Sequence, residues 1–123
     1  MQIFINLEGT LLDVRDRYYA VYSDLLTQSG FKTFDHATYW SFKRLSFEER
    51  AIVTRSACDG FVDDYLLEHE HLIEDPAYLM LDELQPCVID QLSNWSQNHQ
   101  IYITCTRREY QPLITQLEYT GIH

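Results

Sequence analysis

Residues 2–13 read QIFINLEGTLLD, and this stretch decides the fold. Residues 2–6 are almost entirely apolar and include Ile and Phe, which is typical of a short strand buried on both faces of a parallel sheet. Gly9 and Thr10 interrupt the run. From Asp13 to about Ser29 the apolar residues recur every three or four positions, and Gly30 follows. The pattern predicts a strand, a short polar turn and a helix that ends at a glycine.

The rest of the chain is predicted to be mainly helical, with one further strand. A capping-box pattern, Ser46 with Glu49, marks the start of one helix. The predicted elements are helices in 35–56, 59–83 (interrupted near Pro76), 86–95 (with Pro86 in its first turn) and 109–119 (closed by Gly121), and a strand in 100–106 (QIYITCT). A strand, a helix and a second strand in this order favour a parallel sheet with crossover connections. The helical block is too long for a simple crossover, so we expect an insertion above the carboxyl edge of the sheet, where active sites of such folds lie.

The charge of the chain is strongly negative and unevenly distributed. The formal net charge is −10, and the stretch from Ser56 to Thr106 contains ten acidic residues and no Lys or Arg. Such a surface repels phosphate backbones, so nucleic acid is excluded as a partner. A solvated acidic helical face is the favoured interpretation.

The number of cysteines and the absence of long apolar runs indicate where in the cell the protein is found. Cys58, Cys87 and Cys105 are odd in number and form no CxxC pair, which favours free thiols in a reducing environment. No apolar run approaches the roughly 18 residues needed to cross a bilayer, and no secretory leader pattern is present. We therefore expect a cytoplasmic protein without a membrane partner.

Three stretches in order resemble the haloacid dehalogenase (HAD) superfamily. IFINLEGTLLD (3–13) is similar to its first motif, a hydrophobic strand followed by Asp-x-Asp-Gly-Thr-Leu-Leu-Asp. LQPCVIDQL (84–92) resembles the Leu-x-Pro-Gly-Val entry to the helix that returns from the cap, with Cys87 in place of Gly. IYITCTRREYQPLITQLEYTGI (101–122) resembles the segment that holds the second motif, a strand ending in Thr or Ser before a helix.

The resemblance implies a helix-rich α/β fold in two parts. The first is a partial Rossmann-like core of two parallel strands with flanking helices, formed by residues 1–13 and 84–123. The second is an inserted α-helical cap, residues 14–83. Two strands alone leave unpaired edges, and unpaired edges recruit other chains. We therefore predict self-association or a missing complementary segment.

The resemblance also implies a phosphatase that acts on a small phosphorylated metabolite. In the family a carboxylate attacks phosphorus, a second acid two residues later handles the proton, and Mg²⁺ neutralises the developing charge. By this resemblance Asn6 occupies the nucleophile position and Glu8 the acid/base position, and both also occupy metal-ligand positions. The positions that bind phosphate correspond to Gly9, Thr10, Thr106 and Arg107, with Thr104 as the alternative to Thr106.

The sequence departs from the family at the chemically decisive positions. Asn6 is a neutral amide, which is a poor nucleophile and a weak ligand for Mg²⁺. Glu8 is one methylene longer than Asp, and a misplacement of about 1 Å can cost ~100-fold in rate. The third-motif Lys and the fourth-motif acids have no counterpart after Thr106. We therefore expect impaired catalysis and weak or absent Mg²⁺ binding.

Two other interpretations stay open. The chain is a non-catalytic binding or assembly protein built on the same fold, or it is an unrelated small α/β interaction protein in which NLEGTLLD is a coincidence. His69 and His71 flank Glu70, but residues two apart on a helix point to different faces, so a polar surface is favoured over a metal site there.

Overall fold

The computed structural model describes residues 1–57 and 59–122, with residue 59 described by its backbone only. Within these residues the strands are short and the helices dominate. In chain order the elements are β1 (Gln2–Asn6), β2 (Leu12–Asp13), α1 (Arg15–Gln28), α2 (His36–Arg44), α3 (Glu49–Ser56), α4 (Asp59–Leu72), α5 (Pro76–Leu79), β3 (Glu83–Leu84), α6 (Val88–Ser96), β4 (Gln100–Thr104) and α7 (Tyr110–Thr120). The helix-rich α/β class is confirmed.

β1 and β4 lie side by side and parallel, as predicted. Their register runs from Gln2 opposite Gln100 to Asn6 opposite Thr104. Only one face of this pair packs against the helices of the core. On the other face Phe4 is 64% exposed and Tyr102 is 42% exposed, and their rings stack with centroids 5.0 Å apart. The expectation that β1 is buried on both faces is therefore wrong for the described chain, because no element covers the second face there.

A small antiparallel pair, which the sequence did not reveal, joins the two ends of the helical block. β2 pairs with β3, Leu12 opposite Leu84 and Asp13 opposite Glu83. The backbone N–H of Gln85 also donates to the carbonyl of Leu11 at 2.9 Å. The chain thus leaves the core and returns to it at adjacent points, which is the geometry of an insertion. We therefore propose the division into residues 1–13 with 84–123 and residues 14–83.

Each of these parts has its own hydrophobic cluster. The helices of the insertion pack around buried residues from α1, α2, α3 and α4, among them Tyr22, Tyr39 and Tyr65. The strands pack with α6 and α7 around a second cluster that includes Leu7 and Leu12. Tyr18 packs against both clusters. Burial of these apolar side chains is the main favourable term in the stability of each part.

Two predicted helix starts differ in the structure. The capping box at Ser46 is absent, because α3 begins after Glu48 and Ser46 lies in a left-handed turn with φ of 66°. The carboxylate of Glu49 instead accepts hydrogen bonds from Tyr39 and Tyr65 inside the cap. Pro86 precedes α6 and lies outside it, since Cys87 is the residue that caps this helix.

Cys87 and Cys105 are unpaired thiols, while Cys58 lies outside the described residues. Among the helices that the structure describes, none is both long enough and apolar enough to span a bilayer.

Candidate functional site

A cleft of about 580 Å³ lies at the carboxyl end of β1, between the sheet edge and the inserted helices. The core contributes Asn6, Glu8, Gly9 and Thr106 to its lining, and the insertion contributes Tyr18, Trp40 and Arg44. The carboxyl ends of parallel strands meet at one edge, which explains how residues a hundred positions apart line the same space.

Asn6 and Thr106 reach the cleft because their strands are in register. Asn6 is the last residue of β1, and Thr106 follows the end of β4 by two residues. The backbone N–H of Leu7 donates to the carbonyl of Thr104 at 2.9 Å and extends the pairing beyond the strands. The hydroxyl of Thr104 faces the carbonyl of Ile5 at 3.4 Å, and this residue does not line the cleft. Of the two candidate threonines, Thr106 is therefore the one that lines the cleft.

The turn after β1 brings one predicted phosphate-binding residue to the cleft and leaves another outside. Gly9 has φ of +85°, a backbone conformation that L side chains rarely adopt, and it lines the cleft. Its N–H donates to the carbonyl of Leu12 at 2.9 Å, which closes the turn. Thr10 is exposed and does not line the cleft.

Both carboxylate oxygens of Glu8 are occupied by protein donors. One oxygen accepts from Arg17 Nη2 at 2.5 Å and from Arg107 Nε at 2.7 Å. The other accepts from the hydroxyl of Tyr18 at 2.9 Å. Arg107, which the sequence assigned to phosphate binding, is therefore turned towards Glu8, and its side chain is only 2% exposed.

A second acid, Asp82, completes a buried group of four charges. Its carboxylate lies 3.1 Å from Arg17 Nε and 3.6 Å from Arg107 Nη2, and it accepts a hydrogen bond from Gln116 at 2.8 Å. We call Glu8, Arg17, Asp82 and Arg107 the charge cluster. Its formal charges sum to zero, which is the condition under which buried ions are tolerated.

The charge cluster ties the cap to the core. Arg17 lies on α1 of the insertion and is fully buried, and its Nη1 also donates to the carbonyl of Ile73 at 2.8 Å. Glu8 and Arg107 belong to the core. Hydrogen bonds to charged partners are the stronger ones, so this cluster restricts movement between the two parts.

The pKa of Glu8 is lowered below its ordinary value. Burial by itself raises the pKa, but the attraction of Arg17 and the hydrogen bonds from Arg17 and Arg107 outweigh burial. Glu8 is therefore a carboxylate at neutral pH and has no proton to give to a leaving group. Burial and the negative charge of Glu8 together raise the pKa of Tyr18, which stays a neutral donor. Burial raises the pKa of Asp82 in spite of its two arginine neighbours.

These donors fit Mg²⁺ poorly. The ion takes near-octahedral oxygen coordination and is usually held by one or two free carboxylates. Both oxygens of Glu8 are already bonded, and two guanidinium groups within hydrogen-bonding distance would repel a divalent cation. Asn6 offers one neutral oxygen. Within residues 1–57 and 59–122, no group of three or more His, Cys, Asp or Glu side chains is arranged to hold a metal, and this includes His69 and His71.

Sequence reasoning missed two of the residues that shape this site, Arg17 and Asp82. A signal existed for Arg17, because it lies three residues after Val14 and four before Val21 on the apolar face of α1. A charged residue on such a face is rarely buried without a partner. Asp82 carries no comparable local pattern, and only the return of the chain at β3 brings it beside Arg17.

Similar folds occur in solved structures of hydrolases. A hydrolase of the haloacid dehalogenase-like family from Streptococcus pneumoniae matches 99% of this chain with a TM-score of 0.78 and 19% identity, over 56% of its own length. Another hydrolase from Streptococcus pneumoniae matches 98% with a TM-score of 0.66 and 21% identity, over 60% of its length. A protein from Lactobacillus plantarum, named as a candidate phosphoglycolate phosphatase, matches 98% with a TM-score of 0.60 and 17% identity, over 70% of its length.

These matches confirm the predicted fold. The chain has a haloacid dehalogenase-like fold, and it spans somewhat more than half the length of the two structures from Streptococcus pneumoniae. No protein-family model and no curated protein sequence matches it.

Proposed function

We propose that the chain binds a small phosphorylated molecule in the cleft between the cap and the sheet edge, and does not hydrolyse it. The observation that carries this proposal is the bonding of Glu8. Its carboxylate accepts hydrogen bonds from Arg17, Arg107 and Tyr18, at the position where the fold's hydrolases need an acid/base group.

Hydrolysis by the family's route needs a nucleophile and a proton donor at the positions of Asn6 and Glu8, and neither residue supplies one. The amide of Asn6 does not attack phosphorus, and Glu8 is held ionised by its two arginine partners. An Asp at position 6 would restore the nucleophile without freeing Glu8. The loss of the nucleophile or of the proton donor alone is enough to slow hydrolysis severely. With both lost, the cleft can bind a phosphate ester but not hydrolyse it.

Binding groups for a phosphate ester are nevertheless present in the cleft. The hydroxyl of Thr106 and the amide nitrogen of Asn6 are donors, and Gly9 permits close approach of the backbone. Arg44 adds positive charge in an otherwise acidic chain, whereas Arg15 is paired with Asp13. The fold neighbour that is named as a candidate phosphoglycolate phosphatase supports a phosphate ester as the class of ligand.

The first test is an assay of p-nitrophenyl phosphate hydrolysis with Mg²⁺, for wild type and Asn6→Asp. We expect no turnover above background in either protein, because Glu8 has no proton to give. Turnover in the wild type that Glu8→Gln abolishes would overturn the proposal in favour of an active phosphatase.

The second test measures binding of phenyl phosphate by titration calorimetry. Wild type is expected to bind, and Thr106→Val, which keeps the side-chain shape, is expected to bind more weakly because it removes one donor. Ser96→Ala removes a hydroxyl outside the cleft and serves as the control. Absence of measurable binding in the wild type would refute the proposal.

A second proposal is self-association through the uncovered face of the sheet. Phe4 and Tyr102 form a stacked, exposed aromatic pair there, and the two described strands leave their outer edges without a partner in the part of the chain that the structure describes. Exposed aromatic area beside open edges favours pairing with a second copy across a two-fold axis.

Sedimentation velocity over a range of protein concentrations tests this second proposal. The wild type is expected to shift towards a dimer as concentration rises, and Phe4→Gln is expected to shift less. Leu45→Gln removes an equally exposed apolar side chain (69%) away from the sheet and should behave as wild type. A wild type that stays monomeric at all concentrations would contradict the proposal.

A further inference from the structure

Among the residues that the structure describes, the cap side of the cleft presents one positively charged side chain that forms no ion pair. Arg44 is the last residue of α2 and lines the cleft. Among the residues that the structure describes, it forms no ion pair, whereas the neighbouring Lys43 pairs with Glu49 at 2.8 Å. Arg15, the other arginine of the cleft, is held by Asp13 at 2.7 Å. Arg44 is thus the guanidinium of this cleft that remains available to a ligand.

A rigid aromatic ring lies beside this cation. Trp40 precedes Arg44 by four residues on α2, so both side chains project from the same side of the helix. The indole N–H of Trp40 donates to the carbonyl of Arg15 at 3.1 Å, and the ring packs against Tyr18 and Tyr39. Because its position is held by these contacts, Trp40 offers a planar apolar surface at little cost in conformational entropy.

We infer that the ligand of this cleft is a phosphate monoester with a planar body and a second anionic group at its far end. This inference rests on the function proposed above. The phosphate would meet the Asn6 and Thr106 side of the cleft, the planar body would lie against Trp40, and the second anion would pair with Arg44.

The net charge of the chain disfavours a more negatively charged ligand. The chain has a net charge of −10, so a ligand with more negative charge is repelled more strongly by the molecule as a whole. A preference for the more highly charged ester therefore requires a local cation that outweighs this repulsion. Arg17 and Arg107 do not serve this purpose, because Glu8 and Asp82 already neutralise them.

The test compares two probes, phenyl phosphate and 4-carboxyphenyl phosphate, by titration calorimetry at pH 7.5 in low salt. They differ only in the carboxylate at the far end of the ring. Arg44 is exposed, so a solvent-screened pair of this kind predicts about 1.5- to fivefold tighter binding of the carboxylated probe. The preference is expected to shrink as salt is added.

Variants show whether Arg44 is the residue responsible. Arg44→Gln is expected to abolish the preference for the carboxylated probe. Lys32→Gln removes the same charge from an exposed position outside the cleft and is expected to keep the preference. Trp40→Leu is expected to weaken both probes to a similar extent, since it removes the stacking surface.

The outcomes separate the two proposals. If phenyl phosphate binds but the carboxylated probe binds no more tightly, or if the preference survives in Arg44→Gln, the inference is overturned and the proposed function stands. If neither ester binds to the wild type, both fail.

Discussion

Replacing Arg17 by Met tests whether the charge cluster holds the cap on the core. Arg17 is fully buried, and it contacts Glu8 at 2.5 Å, the Ile73 carbonyl at 2.8 Å and Asp82 at 3.1 Å. Met fills a similar volume without the charge. The variant therefore keeps most of the packing, leaves one carbonyl without its donor, and leaves two acids to share Arg107.

The expected loss of stability follows from the groups that Arg17→Met leaves unpaired. Removal of one member of a buried ion pair typically costs about 3–5 kcal/mol. Glu8 keeps its bonds to Arg107 and Tyr18, and its side chain is 21% exposed, so the low end of that range applies. We expect a decrease of about 3 kcal/mol in the free energy of unfolding, a large share of the roughly 5–15 kcal/mol of a typical domain.

The measurement is urea unfolding at pH 7, followed by circular dichroism. Arg15→Met is the matched control, because it removes an exposed arginine two positions away that pairs with the partly exposed Asp13. The control is expected to lose far less stability. Combining Arg17→Met with Glu8→Gln should cost less than the sum of the single changes, because the two side chains interact directly. Equal losses in Arg17→Met and Arg15→Met would refute the idea of a stabilising charge cluster.

Three further predictions concern positions away from the cleft. Cys87 has φ of 65° where the family pattern has Gly, so Cys87→Gly should raise the free energy of unfolding by about 0.5–1 kcal/mol in urea melts, whereas Cys87→Ala should not. Burial lowers the pKa of His69, so the neutral imidazole is the form that the folded protein favours. The stability that neutral His69 contributes is complete above pH 6.5 and is lost as the pH falls through the lowered pKa. His69→Gln should therefore flatten that part of a plot of the free energy of unfolding against pH. Tyr65 donates to Glu49 at 2.9 Å, and Tyr65→Phe should cost about 1.5–3 kcal/mol by thermal melts, while a loss near zero would contradict a hydrogen bond to a buried carboxylate.

Much of the fold could be read from local patterns in the sequence. The apolar runs at 2–6 and 100–106 predicted two strands, and the three- to four-residue spacing after Asp13 predicted α1. Gly121 has φ of 86° and ends α7, as its position after the periodic residues indicated. These features depend on neighbours within a few residues, which is why the sequence is sufficient to predict them.

Other local features were misread because distant residues decide them. Glu49 looked like the partner of Ser46 in a capping box, but it accepts hydrogen bonds from Tyr39 and Tyr65 on other helices. The second face of β1 was expected to be buried from its composition alone. Whether a strand face is covered depends on which elements pack against it, and composition does not contain that information.

The amino-acid sequence alone determined that position 6 carries an amide and position 8 a longer acid than the Asp residues of the family pattern that these positions resemble. Only the tertiary structure decided which groups bond to the Glu8 carboxylate. Arg17 comes from the cap and Arg107 from the loop after β4, and the latter lies 99 positions along the chain from Glu8. The charge of a carboxylate depends on groups within a few ångströms in space, and the spacing of residues along a chain does not specify which groups those are.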